Sequence, residues 1–439
     1  MKKIQILSQC IILFLLTIGG AQAALQLELT QGMSGAVPIA VVPFASEPDP
    51  TNFSNVITND LQNSGRFKLF PATQMKQTPS EPTTVDYHYW QQTGSNNIVV
   101  GNVKPLGGDN YQVNIALLDT FKGIANPANG VILTDSYQIK ASQFRQLAHK
   151  ISDLIYQQLT GDRGIFSTKI AYVLVERDAN QTPKYLLEVA DEDGYNPRPL
   201  LTSNAPIMSP KWSPDGKKIA YVSFENQHSA IYLSDIASGS RELLSNSSGM
   251  NNAPAFSPDN KTLALVLSKS SGTPNIYTMN LATRALTQLT DGAGIQINTE
   301  PSWSSDGNSL IFTSNRDGGP QIYRFTPNSG KIQRMTFDGA YNATASFTPK
   351  DKHIVLLHGV NNSYNIAIQD LASGAMSVLT QGGNDSSPSI APNGKMIIYA
   401  SDNGQGSVLG IISSDGKIKL TLPAPEGSVR EPAWSPFLK

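Results

Sequence analysis

From residue 169 onward apolar and polar positions alternate with the period of two that a half-buried strand requires, and the pattern comes in copies. The stretch Ser209–Ser223, SPKWSPDGKKIAYVS, returns as APAFSPDNKTLALVLS from Ala253 and as EPSWSSDGNSLIFTS from Glu300. It returns again as TASFTPKDKHIVLLH from Thr344, as SPSIAPNGKMIIYAS from Ser387, and in truncated form as EPAWSP from Glu431. The anchors Trp212, Phe256, Trp303, Phe347, Ile390 and Trp434 are 44, 47, 44, 43 and 44 residues apart. A fixed period in this range marks one supersecondary unit repeated in an array.

Each unit reads as four strands. The anchor strand runs into a turn built from Pro and Asp-Gly or its relatives, followed by a β-branched and aromatic strand such as Lys218–Ser223 or Ser309–Ser314. A third strand opens at Ile231, Ile276, Ile322 and Ile366, and a small-residue turn leads to a fourth ending LLS, QLT, RMT or VLT. Four antiparallel strands per ~44 residues is the anatomy of a β-propeller blade. The sixth anchor, Trp434, is followed by only five residues, whereas Lys169–Val175, Tyr185–Ala190 and Pro199–Thr202 match strands two, three and four. The expectation is a six-bladed β-propeller over residues 169–439, closed by strand exchange between the C-terminus and residues near 170–202, which removes a free sheet edge.

Residues 24–161 carry a different pattern, that of an α/β domain. Val37–Phe44 reads as a buried strand and Phe53–Asn63 as a helix stopped by Gly65, then Arg66–Phe70 as a strand and Val85–Gln92 as a short helix. Asn97–Pro105, Tyr111–Asp119 and Val131–Lys140 read as strands joined by turns. Ser142–Thr160 is the strongest helix, with Ser142 as its expected cap and Gly161 as its stop. Residues 162–168 form a short linker into the propeller. Within the domain, Ala24–Gly35 reads as an edge strand or frayed terminus, or as a mobile segment that adds itself to a partner or docks on its own domain.

Residues 1–23 read as a secretory signal: Lys2 and Lys3, the apolar run Ile11–Ile18, then Ala21-Gln-Ala23 before the cleavage point. The apolar core is short for a bilayer span. Removing it takes away the only cysteine, Cys10, and leaves 31 basic against 34 acidic side chains, a net −3. That excludes disulfides and thiolate metal sites, and it argues against a nucleic-acid partner.

Candidate chemistry is sparse. The sequence holds no G-x-S-x-G elbow, Walker loop or H-E-x-x-H. None of His88, His149, His228, His353 and His358 sits at metal-ligand spacing, so the expectation is no catalytic residue, metal or cofactor. Asp215, Asp259 and Asp306 read as turn formers. More informative is the row three residues before each anchor: Ser209, Ala253, Glu300, Thr344, Ser387 and Glu431. The first strand of a blade lines the central channel, so this row should ring one mouth, joined by neighbours such as Met208, Met250, Asn252, Thr299, Asn342 and Arg430. The ring is small, polar and Asn-rich, with Glu300 and Glu431 across the axis from each other. It suits a protein-docking face whose acids hold a partner's Lys or Arg. The alternative is a secreted propeller enzyme, a lyase or glycosidase using the channel-mouth carboxylates. Opposite rims lie beyond ~10 Å, wide even for an inverting pair of acids.

VPIAVVPF, IVVGNV, YQVNIALLDT, NNAPAFSPD, NTEPSWSSDG and the closing VREPAWSPFL, in that order, resemble the TolB family of the Tol–Pal envelope system of Gram-negative bacteria. The resemblance covers essentially the whole mature chain. It implies a non-enzymatic periplasmic adaptor that binds the lipoprotein Pal at the propeller mouth and TolA through the N-terminal region. Such an adaptor is a monomer outside the complex and peripheral to the membrane through its partners. It supports outer-membrane integrity and cell division, and some colicins subvert it for import. Carried over by motif, Ala253, Thr299 and Glu300 are Pal-contact positions. The segment 24–35, with Leu25, Leu27 and Leu29, is the part that responds to TolA. Met250 departs from the family pattern, where His occurs.

Overall fold

The computed structural model describes residues 26–29, 35–46, 53–269, 272–292, 294–404, 406–422 and 427–438. The signal segment, with Cys10, and Leu25 lie outside the described residues, as do the side chains of Leu27 and Leu29.

The N-terminal domain is built on a five-stranded sheet. After a first strand β1 (Gln26–Leu29), its elements in chain order are β2 (Val37–Val41), α1 (Phe53–Asn63), β3 (Phe67–Leu69), α2 (Tyr87–Gln92), β4 (Asn97–Gly107), β5 (Asn110–Asp119), α3 (Thr120–Ala125), β6 (Val131–Lys140) and α4 (Phe144–Thr160). The sheet order is β3-β2-β4-β5-β6, with β2 parallel to both its neighbours and the rest antiparallel. Alternation sends Ile39 and Val41 to the face covered by α1 and α4, and Ala40 and Val42 to the face covered by α2 and α3. Burial on both faces is why β2 reads as an unbroken apolar run.

One expected detail fails. Ser142 does not cap α4: Ala141–Gln143 forms a tighter 3₁₀ turn, so Ser142 lies inside that turn rather than ahead of the helix. The Gln143 side chain closes the entry instead, its Oε1 accepting from Lys140 N–H at 2.9 Å. At the other end Gly161, at φ 78°, donates its N–H to Gln157 O, the left-handed stop expected of glycine.

Six sheets then form the propeller. Ile207–Trp212, Asn251–Phe256, Asn298–Trp303, Tyr341–Phe347 and Asp385–Ile390 open blades one to five, and each pairs outward with three further strands. Blade six is closed by Ser428–Trp434, which pairs antiparallel with Lys169–Arg177. Three bonds tie this seam: Ser435 N–H to Lys169 O (2.8 Å), Lys169 N–H to Ser435 Oγ (2.9 Å) and Trp434 Nε1–H to Thr168 Oγ1 (2.8 Å). The middle strands of each blade are buried on both faces because neighbouring blades stack, with Tyr221, Tyr323 and Tyr399 fully enclosed.

β1 belongs to the propeller rather than to the domain that follows it in sequence. It pairs antiparallel with Ile418–Thr421, Leu27 opposite Leu420, and so adds a fifth strand to blade five. The segment is thus an edge strand, one of the expected behaviours, but on the propeller and not on its own domain.

Residues 162–168 are also more than a tether. Phe166 is buried in the N-terminal core and Ile165 in the core between blades five and six. Asp153 of α4 accepts from Phe166 N–H at 2.8 Å and Ser167 N–H at 3.2 Å. Arg163 stacks on Phe437 at 3.9 Å, and Lys395 pairs with Asp162 at 3.1 Å. The N-terminal domain thus sits against turns at the anchor end of blades five and six. Among the described residues these contacts leave the opposite end of the propeller, where the inner strands begin, uncovered.

Candidate docking face at the propeller mouth

Each inner strand breaks register with its neighbour at the same place: between Met208 and Lys211, Asn252 and Ala255, Thr299 and Ser302, Ala343 and Ser346, Ser386 and Ser389, Arg430 and Ala433. The residue responsible is the third before the anchor. Ser209, Ala253, Glu300, Thr344, Ser387 and Glu431 have φ of 52°, 46°, 55°, 52°, 51° and 48°. This is left-handed backbone that non-glycine residues rarely adopt, at a cost of order 1–3 kcal/mol each. Its product is a β-bulge. The sequence carried a signal for it: Pro210, Pro254, Pro301, Pro388 and Pro432 follow the bulged residue in five of the six blades, and proline inside a sheet is confined to edges and bulges.

The bulge frees a backbone N–H from the ladder, and side chains claim it. Glu300 Oε2 accepts from Thr344 N–H at 2.8 Å and from Thr313 Oγ1 at 2.7 Å, while its Oε1 takes Thr344 Oγ1 at 3.0 Å. Glu431 Oε2 accepts from Ser209 N–H. Asn252 Oδ1 accepts from Ala253 N–H at 2.7 Å and from Ser209 Oγ at 3.3 Å. The two acids therefore each clasp the next blade, an intramolecular role that was not expected of them. Burial raises the Glu431 carboxyl above its ordinary range, opposed by Ser209 N–H and by Lys211. Lys211 is the basic residue that the sequence reading passed over. It is the one charge in the row just before the anchors, burial lowers its ammonium, and Glu431 and Glu300 oppose that effect.

Asn342 is withdrawn from the docking face. It is fully buried, its Nδ2 donating to Gln321 Oε1 (2.9 Å) and Asp338 O (2.7 Å), with His358 Nδ1 at 2.8 Å from its Oδ1. Asn251 and Asn298 occupy the same register and are equally buried; Asn251 alone stitches Ser229 O, Ser247 O and Gly249 O. Their amides hold the mouth loops in shape. Met208 is half-turned inward, packing on the core between blades one and two.

What remains accessible is Arg430 and Met250, which are exposed, and the half-buried Asn252, Thr299 and bulge row. Next to them lies a feature that the strand pattern alone did not reveal. Ile295 is 89% exposed and Phe337 73%, and with Met250 and Ile297 they sit in the loops that enter blades two, three and four. A cavity of about 630 Å³ adjoins Met250 and Asn252 and is lined also by Phe224, His228 and Asn246. Large apolar side chains grouped beside a polar ring mark an interaction site.

The turns at the far end behave as expected. In blade three Asp306 accepts from Ser304 Oγ at 2.6 Å and Asn308 N–H at 2.9 Å, which holds its carboxyl down at about 2. Asp215 and Asp259 repeat the arrangement.

Among the described residues no helix is long and apolar enough to cross a membrane. Residues 25–125 match the model of the TolB amino-terminal domain, and residues 156–438 that of the TolB beta propeller domain. The Tol-Pal system protein TolB of Coxiella burnetii is 51% identical over 443 residues, covering 100% of both chains. That of Xanthomonas campestris pv. campestris is 43% identical over 422 residues, 95% of this chain and 94% of its own. The crystal structure of TolB from Acinetobacter baumannii superposes with a TM-score of 0.84 at 39% identity, covering 94% of this chain and all of that one. With both domains matched and relatives alike over the full length, the chain belongs to the TolB family of periplasmic, non-enzymatic β-propeller proteins.

Proposed function

We propose that this chain is the adaptor of a Tol–Pal complex, docking the lipoprotein Pal at the propeller mouth and engaging TolA through the N-terminal region, in support of outer-membrane integrity and cell division. The observation that carries the mouth assignment is the exposed apolar arc Met250, Ile295, Ile297 and Phe337 beside Ala253, Thr299 and Glu300. An apolar centre with a polar, hydrogen-bonding rim is the composition of a specific protein interface. Support for the second contact comes from β1. It extends a blade already complete with four strands, so its transfer to a partner leaves that blade intact, and strand addition is an established mode of peptide recognition.

The test is calorimetric titration of residues 24–439 with the soluble domain of Pal. Ile295→Asp touches little of the fold, so it should leave Tm unchanged and weaken binding about tenfold or more, the range of a central apolar contact. Unchanged affinity removes the mouth from the reading. A chain lacking residues 24–35 should keep Pal and lose TolA; loss of neither moves the TolA contact elsewhere.

A further inference from the structure

A cavity of about 190 Å³ lies at the other end of the molecule, between the N-terminal domain and blades five and six, and the mouth makes no use of it. Its wall is mostly apolar. Met396, Ile411, Ile418 and Leu420 of blade five line it, together with Ile165 of the linker, and all five belong to the buried core between blades five and six. The rings of Tyr156, Phe166 and Trp434 complete the lining, with Tyr156 and Phe166 edge to face at 5.8 Å. A cavity walled in this way excludes water and takes a small apolar body.

The charged groups on the wall are spent on other residues, with two exceptions. Asp193 is held by Arg145, which also takes Asp191 at 3.3 Å, and Lys395 pairs with Asp162 at 3.1 Å. Asp415 accepts from Ser413 Oγ at 2.6 Å and from Lys417 N–H at 3.2 Å. Beyond the wall, Asp60 engages His149 Nδ1 at 2.9 Å. Glu192 is the first exception. It lines the cavity, yet among the described residues it makes no hydrogen bond and no ion pair. Burial, with Asp193, Asp60 and Asp153 nearby, holds its carboxyl well above the ordinary range. A carboxyl enclosed without a donor bears the cost of its lost water. The second exception is Arg66, exposed at the rim with its guanidinium unpaired.

We propose that this cavity binds a small amphiphile made of an apolar body and a primary ammonium, with the ammonium seated on Glu192 and the body among Met396, Ile411 and Leu420. Three features select this class. The wall suits the apolar body, and a bound cation lifts the penalty on the Glu192 carboxyl by favouring its charged form. Aromatic faces such as those of Tyr156, Phe166 and Trp434 also attract cations and not anions. An anionic head finds only Arg66, which faces solvent and is screened by salt. A carboxylate elsewhere on the ligand would meet Arg66, so a simple alkylamine and an apolar amino acid share the ammonium and differ at that rim. A ligand held in this cavity touches the N-terminal domain and both blades at once, and so stabilises their docking.

The experiment is calorimetric titration of residues 24–439 with hexylamine, whose ammonium is charged at pH 7 as that of lysine is. Hexanol, hexanoate and leucine run in parallel, and Tm is read with each. The expected result is one saturable equivalent of hexylamine and a raised Tm. Hexanol and hexanoate should bind more weakly by about tenfold or more, the range of one charge-assisted hydrogen bond. Leucine binding above hexylamine assigns the ligand to the amino acids, through Arg66, and leucine below it to simple amines. Glu192→Gln should erase the preference for amine over alcohol. If that variant does not fold, Ile411→Phe carries the test, since it fills the cavity and should exclude amine and alcohol alike. Absence of saturable uptake overturns the proposal. Equal affinity of the parent for hexylamine and hexanol does so too, as does amine binding undiminished by these substitutions.

Discussion

The clasp made by Glu300 can be tested with two substitutions at one position. Its carboxylate holds three donors, Thr344 N–H, Thr344 Oγ1 and Thr313 Oγ1, joining blade three to blade four at a bulge whose N–H has left the ladder. Glu300→Ala deletes all three. Thr344 N–H then keeps only Thr313 Oγ1, at 3.2 Å. With hydrogen bonds to a charged group contributing ~1.5–3 kcal/mol each, and some regained from water at this half-buried rim, the loss is about 3 kcal/mol. Glu300→Gln behaves differently. Its carbonyl oxygen can take the place of Oε2 and its amide can donate to Thr344 Oγ1, so only the charge assistance goes, about 1 kcal/mol. In a domain of this size 1 kcal/mol moves Tm by roughly 2–4 °C. Calorimetric melting should therefore show Glu300→Ala lower by about 6–10 °C and Glu300→Gln by no more than about 4 °C. Equal Tm values for the two variants, or an alanine variant melting with the parent, would refute the clasp.

Two further outcomes follow from the same geometry. Gly65 has φ 63°, and a Cβ there would stand 1.7 Å from Ile418 Cδ1, so Gly65→Ala should cost about 2 kcal/mol through strain and overpacking at the domain boundary. Ile418→Val deletes the clashing methyl and should be less harmful in that background than alone, a non-additivity visible in a double-mutant cycle; strict additivity counts against the contact. Glu431, with its folded carboxyl raised above the ordinary 4.5, favours the native state when protonated, so its contribution is fully present at low pH and is lost as pH rises through the raised value. Glu431→Gln keeps an oxygen for Ser209 N–H and removes the buried charge. Its Tm should match the parent near pH 4 and exceed it near pH 7, whereas a pH-independent difference contradicts the assignment.

Much of the architecture was legible because its causes are local. Anchors ~44 residues apart, Asp-Gly turns and alternating strands each depend on a few neighbouring side chains, and the bulge row could be placed by counting back from Trp212 or Trp303. The X-Pro pair at five of the six bulges is equally local, but a following proline does not by itself specify left-handed backbone. Ser142 misled because a capping side chain and a residue inside a 3₁₀ turn look alike in sequence. Asn342 misled because one register step in a strand sends a side chain to the other face, turning a docking residue into a buried stitch.

The sequence by itself determined the family, the six-fold repeat, the seam between Ser428–Trp434 and Lys169–Arg177, and the separate N-terminal domain, since period, turn chemistry and apolar pattern are properties of short stretches. Tertiary structure alone decided that Glu300 and Glu431 hold the next blade, that β1 pairs with Ile418–Thr421, and that His149 meets Asp60 and the turn at Glu192. Those partners are tens to hundreds of residues apart along the chain. They meet only after the ring has closed and the two domains have docked, and no local pattern records what will then stand opposite.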